Sequence, residues 1–186
     1  MSGSDDKLVC HFDINASARG ANNTVPAVQV FSGHKDVVED VAWHYHNSNL
    51  VGSCGDDKQI IIWDTRTKAK PHLQFEAHKA EINCISFNPH NDYNFVSGSS
   101  DRTVALWDMR NVKARVHSFE SHGGHIFAVS WAPFAENILA SASGDRRVNV
   151  WDLSRIGTEQ DPEDAEDGPP ELLFIHGGHT DRVTIL

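Results

Sequence analysis

The chain alternates short apolar runs with clusters of Gly, Ser, Asn and Asp. Apolar stretches over residues 37–43, 82–87 and 126–131 each follow a histidine; a short stretch ending in small residues comes next, and an apolar run ending in tryptophan closes the set. Each run has strand length and is bounded by turn residues. Ile60-Ile61-Ile62-Trp63 and Val104-Ala105-Leu106-Trp107 are apolar at every position, as expected of a strand covered on both faces. A further segment, such as His117-Ser118-Phe119, is shorter and more polar, which suits an outer edge strand. Each set predicts a four-stranded antiparallel sheet.

The sets repeat with a fixed period. Trp63-Asp64, Trp107-Asp108 and Trp151-Asp152 stand 44 residues apart, and the same step relates His34, His78 and His122. It also relates Trp43, Phe87 and Trp131, then Ser53, Ser97 and Ser141, then Asp57, Asp101 and Asp145. Five classes of position recurring three times each identify an internal repeat. With its W-D endings the repeat resembles the WD-repeat family, whose units build the blades of a β-propeller. The resemblance implies an all-β propeller of seven four-stranded blades, of which these residues supply about four. It also implies a hydrogen-bonded tetrad in each unit: His34, Ser53, Asp57 and Trp63; His78, Ser97, Asp101 and Trp107; and His122, Ser141, Asp145 and Trp151. A buried indole, hydroxyl, imidazole and carboxylate each need a partner once removed from water.

The register divides the chain at 1–32, the end of a first blade and a loop; 33–76, 77–120 and 121–177, three whole repeats; and 178–186, the opening of another. Phe12 takes the tryptophan position of the first unit, with Asp6 and Ser2 at the matching offsets. The expectation is a ring cut within repeats at both ends. Extra residues mark loops: one connection over 15–24 and a larger insertion over 158–170.

Composition narrows the function. Hydrophobic residues at 39% and charged residues at 23% describe a soluble chain without a membrane span, and the first residues resemble no secretory signal. A net charge of −10 disfavours direct contact with nucleic acid and favours a basic partner. Cys10, Cys54 and Cys84 are too widely spaced for a zinc ribbon or a disulfide framework, and Cys54 shares its repeat position with Gly98 and Ala142, which reads as a small core residue. The two His-Gly-Gly-His stretches, 122–125 and 176–179, use different histidines in the repeat register, so no metal and no cofactor is expected. No P-loop, nucleophile elbow or H-E-x-x-H occurs, and an enzyme is not expected.

The insertion is more specific than the repeat. Six of the nine residues 159–167 are acidic, and Gly168-Pro169-Pro170 follows. The run Pro162-Glu163-Asp164-Ala165-Glu166-Asp167-Gly168-Pro169-Pro170-Glu171-Leu172-Leu173-Phe174-Ile175-His176-Gly177-Gly178-His179 resembles the retinoblastoma-binding, histone-binding subfamily of WD-repeat proteins. That subfamily includes the chromatin assembly factor small subunit and subunits of deacetylase, remodelling and methyltransferase complexes. Val37-Val38-Glu39-Asp40-Val41-Ala42-Trp43-His44 is similar to it as well.

The resemblance implies a nuclear scaffold that binds core histones. Asp164 and Asp167 would hold basic side chains of a histone four helix, while Glu39 and Glu81, at the starts of innermost strands, would meet the basic tail of histone three. His125 stands at the repeat position of Glu81, where another acid is expected. The chain has no basic cluster longer than Arg146-Arg147, so the nuclear expectation comes from the resemblance alone. Trp63-Asp64-Thr65-Arg66 and Trp107-Asp108-Met109-Arg110 also resemble the box by which some WD-repeat proteins dock on the adaptor of cullin-type ubiquitin ligases, through Asp64, Arg66, Asp108 and Arg110. A substrate receptor of such a ligase, or a propeller fragment without function, are the alternatives.

Overall fold

The computed structural model describes residues 1–15, 24–67 and 70–186, and in them the chain is all-β. Most of the connection expected over 15–24, namely 16–23, lies outside the described residues. Four antiparallel sheets follow one another in chain order. The first holds β1 (Ser2–Gly3), β2 (Leu8–His11) and β3 (Gln29–Ser32). The second holds β4 (Val38–Trp43), β5 (Leu50–Gly55), β6 (Gln59–Asp64) and β7 (Pro71–Glu76). The third holds β8 (Ile82–Phe87), β9 (Asn94–Ser99), β10 (Val104–Asp108) and β11 (His117–Phe119). The fourth holds β12 (Ile126–Trp131), β13 (Ile138–Ser143), β14 (Val148–Asp152) and β15 (Leu172–His176). Strands pair in sequence order within each sheet, giving the blades of an open propeller arc. Outer strand β7 is as long as its neighbours; it keeps one face wet by alternating exposed His72, Gln74 and Glu76 with half-buried Leu73 and Phe75.

The second and third blades are covered on both faces because a blade packs against each side, and the first and fourth are each covered on one. Three apolar cores result, one per junction. Val9 and Phe31 meet Ile61 and Trp63 at the first, Ile60 and Ile62 meet Phe95 and Trp107 at the second, and Leu106 and Phe119 meet Leu139 and Trp151 at the third. This accounts for third strands that are apolar throughout: alternate residues serve different junctions. At every junction a phenylalanine from the outer strand of one blade lies on the tryptophan of the next. The pairs are Phe31 with Trp63 at 5.2 Å, Phe75 with Trp107 at 5.0 Å and Phe119 with Trp151 at 5.1 Å.

A polar chain runs behind each tryptophan. Trp63 Nε1–H donates to Ser53 Oγ at 2.8 Å, Ser53 Oγ lies 2.7 Å from His34 Nε2, and His34 Nδ1 lies 3.0 Å from Asp57. The third blade repeats this through Trp107, Ser97, His78 and Asp101 at 2.9, 2.8 and 3.0 Å. The fourth does so through Trp151, Ser141, His122 and Asp145 at 2.8, 2.8 and 2.9 Å. One assignment satisfies every member: serine donates to Nε2, and a neutral imidazole donates from Nδ1 to the carboxylate. The aspartate also accepts the backbone N–H two residues on, from Gln59, Thr103 or Arg147. That turn holds the intervening Lys58, Arg102 and Arg146 at φ 63°, 71° and 70°, a left-handed conformation that costs a side-chain-bearing residue roughly 1–2 kcal/mol. Asp6 and Lys7, φ 69°, repeat the device in the first sheet.

Asn149 departs from the pattern. It is fully buried at the repeat position of Ile61 and Ala105, and neither end of its amide has a partner. The contrast gives a paired test by urea denaturation. Ser141→Ala strands Trp151 Nε1 and His122 Nε2 and should cost about 2–4 kcal/mol, whereas Asn149→Ala should be neutral or stabilise by up to about 1 kcal/mol.

Stability should also depend on pH. Burial holds His122 below its ordinary value of 6.5. Burial opposes the charges of Asp101 and Asp145, but hydrogen bonds from His78 and Thr103, and from His122 and Gly123, hold both carboxyls below 3.8. The unfolded chain therefore takes up these protons first. Urea midpoints should fall as pH drops through about 6.5, then fall further below about 4. Asp40, raised by burial, partly offsets the loss between these steps.

Candidate functional site

The innermost strands β4, β8 and β12 lie side by side, and each has a break in register one residue after its start. The breaks fall at Glu39, Asn83 and Phe127, one repeat apart. An extra residue at a bulge re-aims its side chain, and these three line one cavity of about 340 Å³ on the inner wall, with Asp40, Cys84 and Ser130. Asn83 is fixed by donating from Nδ2 to Ile126 O at 2.6 Å and to Ser100 Oγ at 3.2 Å. Asp40 accepts Ile85 N–H of the next blade at 2.9 Å. Across Phe127 lies the guanidinium of Arg182, 5.9 Å from the ring centre.

Glu39, on the wall of this cavity, stands in an acidic field. Burial and the carboxylates of Asp56 and Asp5 push Glu39 above its ordinary value; burial, Asp36, Glu81, Asp57 and Asp5 do the same to Asp56. Lys7 offsets part of the charge, 3.7 Å from Asp36. A crowded set of like charges is relieved by any cation that reaches it. Glu39 and Glu81, paired in the sequence reading, occupy different register positions. Glu39 belongs with Asn83 and Phe127, whereas exposed Glu81 precedes β8 and its carbonyl accepts Ser100 N–H at 2.9 Å. Exposed His125 sits beside Phe127, with 6.3 Å between ring centres. Asp5, Asp56, Asn83 and Phe127 were missed. The doubled aspartates 5–6 and 56–57 at one repeat position were the available signal for the acids; the bulge has none.

The insertion forms the connection from β14 to β15. Asp164 opens a 3-10 turn, Asp164–Glu166, and Asp167 ends it; both are exposed, and no acidic side chain of 159–167 makes an ion pair among the described residues. The first buried residue after it is Glu171, whose Oε1 lies 2.7 Å from His117 Nε2 on the outer strand of the preceding blade.

The remaining singled-out residues have local partners. Arg66 forks onto Asp64 at 2.9 and 2.6 Å, and Arg110 onto Asp108 at the same distances. These pairs close the turns after β6 and β10 while leaving the guanidinium groups largely in solvent. Burial pushes the thiols of Cys54 and Cys84 up, away from thiolate chemistry. His44 is engaged at both nitrogens, by Asp92 O and by the N–H groups of His46 and Asn47. Among the described residues no three His, Cys, Asp or Glu side chains converge as a metal would require.

Two comparisons bear on these surfaces. The family model described as EIPR1 beta-propeller matches residues 1–151 and stops short of the insertion. Over 187 aligned positions the chain is 67% identical to the histone acetyltransferase type B subunit 2 of Mycosarcoma maydis. That alignment takes in 100% of this chain and 43% of the relative, so the chain spans less than half the length of the curated relative it matches.

Proposed function

The chain belongs to the EIPR1 beta-propeller family, and we propose that within it the chain is a nuclear, histone-binding WD-repeat scaffold. Its complexes would be those that assemble, remodel or modify chromatin. The observation that carries the reading is the wall of the inner cavity, which Glu39, Asp40 and Phe127 line together and where the carboxylates of Asp56 and Asp5 crowd Glu39. A lysine or arginine side chain entering there gains carboxylate partners and, for arginine, an aromatic face of the kind Arg182 uses. The name of the Mycosarcoma relative supports histones as the source of such side chains.

Magnitude decides how many surfaces are needed. Two charge-assisted hydrogen bonds and one cation–π contact sum to roughly 5 kcal/mol, a Kd on the order of 0.2 mM. Tight capture of a histone therefore requires a second surface, and the unpaired carboxylates Asp164 and Asp167 supply it, for a basic helix of histone four. The scaffold role does not call on chemistry at the histidines.

Fluorescence anisotropy with a histone three tail peptide tests the acidic wall. Binding should weaken steeply as salt rises from 50 to 300 mM, because the contacts are screened. The pair Glu39→Gln and Asp56→Asn should weaken it about tenfold, the equivalent of about 1.4 kcal/mol. Asp164→Asn with Asp167→Asn should spare the tail peptide and reduce binding of a histone four helix peptide. Affinity indifferent to salt and to both pairs of substitutions would refute the reading.

A further inference from the structure

The insertion returns to the blade through a stiff foot. Gly168 adopts φ 137°, a backbone conformation that strains a residue bearing a side chain, and a Cβ there would displace Leu172 Cδ2, 2.7 Å away. Pro169 O accepts Leu172 N–H at 2.9 Å, Gln160 Nε2 donates to Gly168 O at 3.2 Å, and Glu171 O accepts Asp152 N–H at 2.8 Å. These bonds tie the insertion to its own blade. Among the described residues, the one polar side-chain contact from this foot to another blade is that of Glu171. Its side chain, 6% exposed, meets His117 Nε2, and the His117 ring stands edge-on to Phe119, the phenylalanine that lies on Trp151. The positions equivalent to His117 are Leu73 and Gln29, so neither of the two preceding blades has a histidine for such a strut.

We propose that the Glu171–His117 contact is a positioning device: it braces the acidic insertion against the preceding blade and sets the direction in which Asp164 and Asp167 face. A carboxylate buried with one ionisable partner has few alternatives to that geometry. The insertion's acidic residues are exposed and make no ion pair among the described residues that could orient them. Bracing matters for binding because a loop already held in place loses less freedom when a ligand docks. The ligand half of this proposal rests on the reading of the insertion as a histone-binding arm; the bracing half does not.

The test combines hydrogen exchange and peptide binding on the 186-residue chain. Glu171→Ala should speed amide exchange across 158–170 about fivefold or more while the three blade cores keep their protection. It should weaken a histone four helix peptide about tenfold and leave the histone three tail peptide unaffected. Glu171→Gln keeps the volume and a hydrogen bond to His117, and should restore most of both. His117→Gln should act in the same direction as Glu171→Ala, from the other side of the contact. Unchanged exchange over 158–170 in Glu171→Ala would overturn the proposal, as would a loss of protection shared by all the blades. If exchange responds as stated but the unsubstituted chain ignores the helix peptide, the brace stands and the histone reading of the insertion fails.

Discussion

The packing of one blade's tryptophan beneath the outer phenylalanine of the blade before it is the contact on which the rest depends. Burying an indole removes its N–H from water, and that donor has to be answered inside the protein. Serine, histidine and aspartate answer it in series, so the demand passes by hydrogen bonds from the buried core to a carboxylate near the surface. The carboxylate then fixes the adjoining turn through a backbone N–H, even at the cost of a left-handed lysine or arginine. Apolar packing between blades and turn geometry within a blade are thus parts of one arrangement. Asn149 shows the same rule by exception, as a buried amide at a position where the other blades carry Ile61 or Ala105.

The functional surfaces lie where this arrangement leaves freedom. Inner strands must start against a neighbouring blade and still face the central space, and a bulge at the same step of each repeat reconciles the two. The bulged residues need not pack, so they vary: Glu39, Asn83 and Phe127 are an acid, an amide and an aromatic ring at equivalent positions. The inner wall therefore carries a different chemical group on each blade. The insertion uses a second kind of freedom, since the connection to an outer strand can lengthen without disturbing a core, provided its return is fixed. Gly168, the two prolines and Glu171 fix it.

Much of this was legible in the sequence because the repeat is long-range order written in one dimension. Histidine, serine, aspartate and tryptophan at fixed offsets point to a hydrogen-bonded chain, since no other common constraint demands those four groups at those spacings. Apolar runs without alternation indicated strands covered on both sides. Phe31, Phe75 and Phe119 share the same period and could have been read as the partners of the tryptophans. The acidic insertion was visible as composition alone.

Tertiary structure decided the remainder. Glu39 and Glu81 look alike in sequence as acids near strand starts, but a bulge places one on the cavity wall with Asn83 and Phe127 and leaves the other outside. Asp5 and Asp56, 51 residues apart, act on the same carboxylate because neighbouring blades bring their turns together. His117 and Glu171 meet across 54 residues and two blades. The sequence by itself determined the repeated sheets and their buried polar chains, because hydrogen-bond demand and strand burial act within one repeat. Which charges share a field, and which loop is braced by which strand, depended on the packing of blade against blade, because those effects act through space between residues that no local pattern relates.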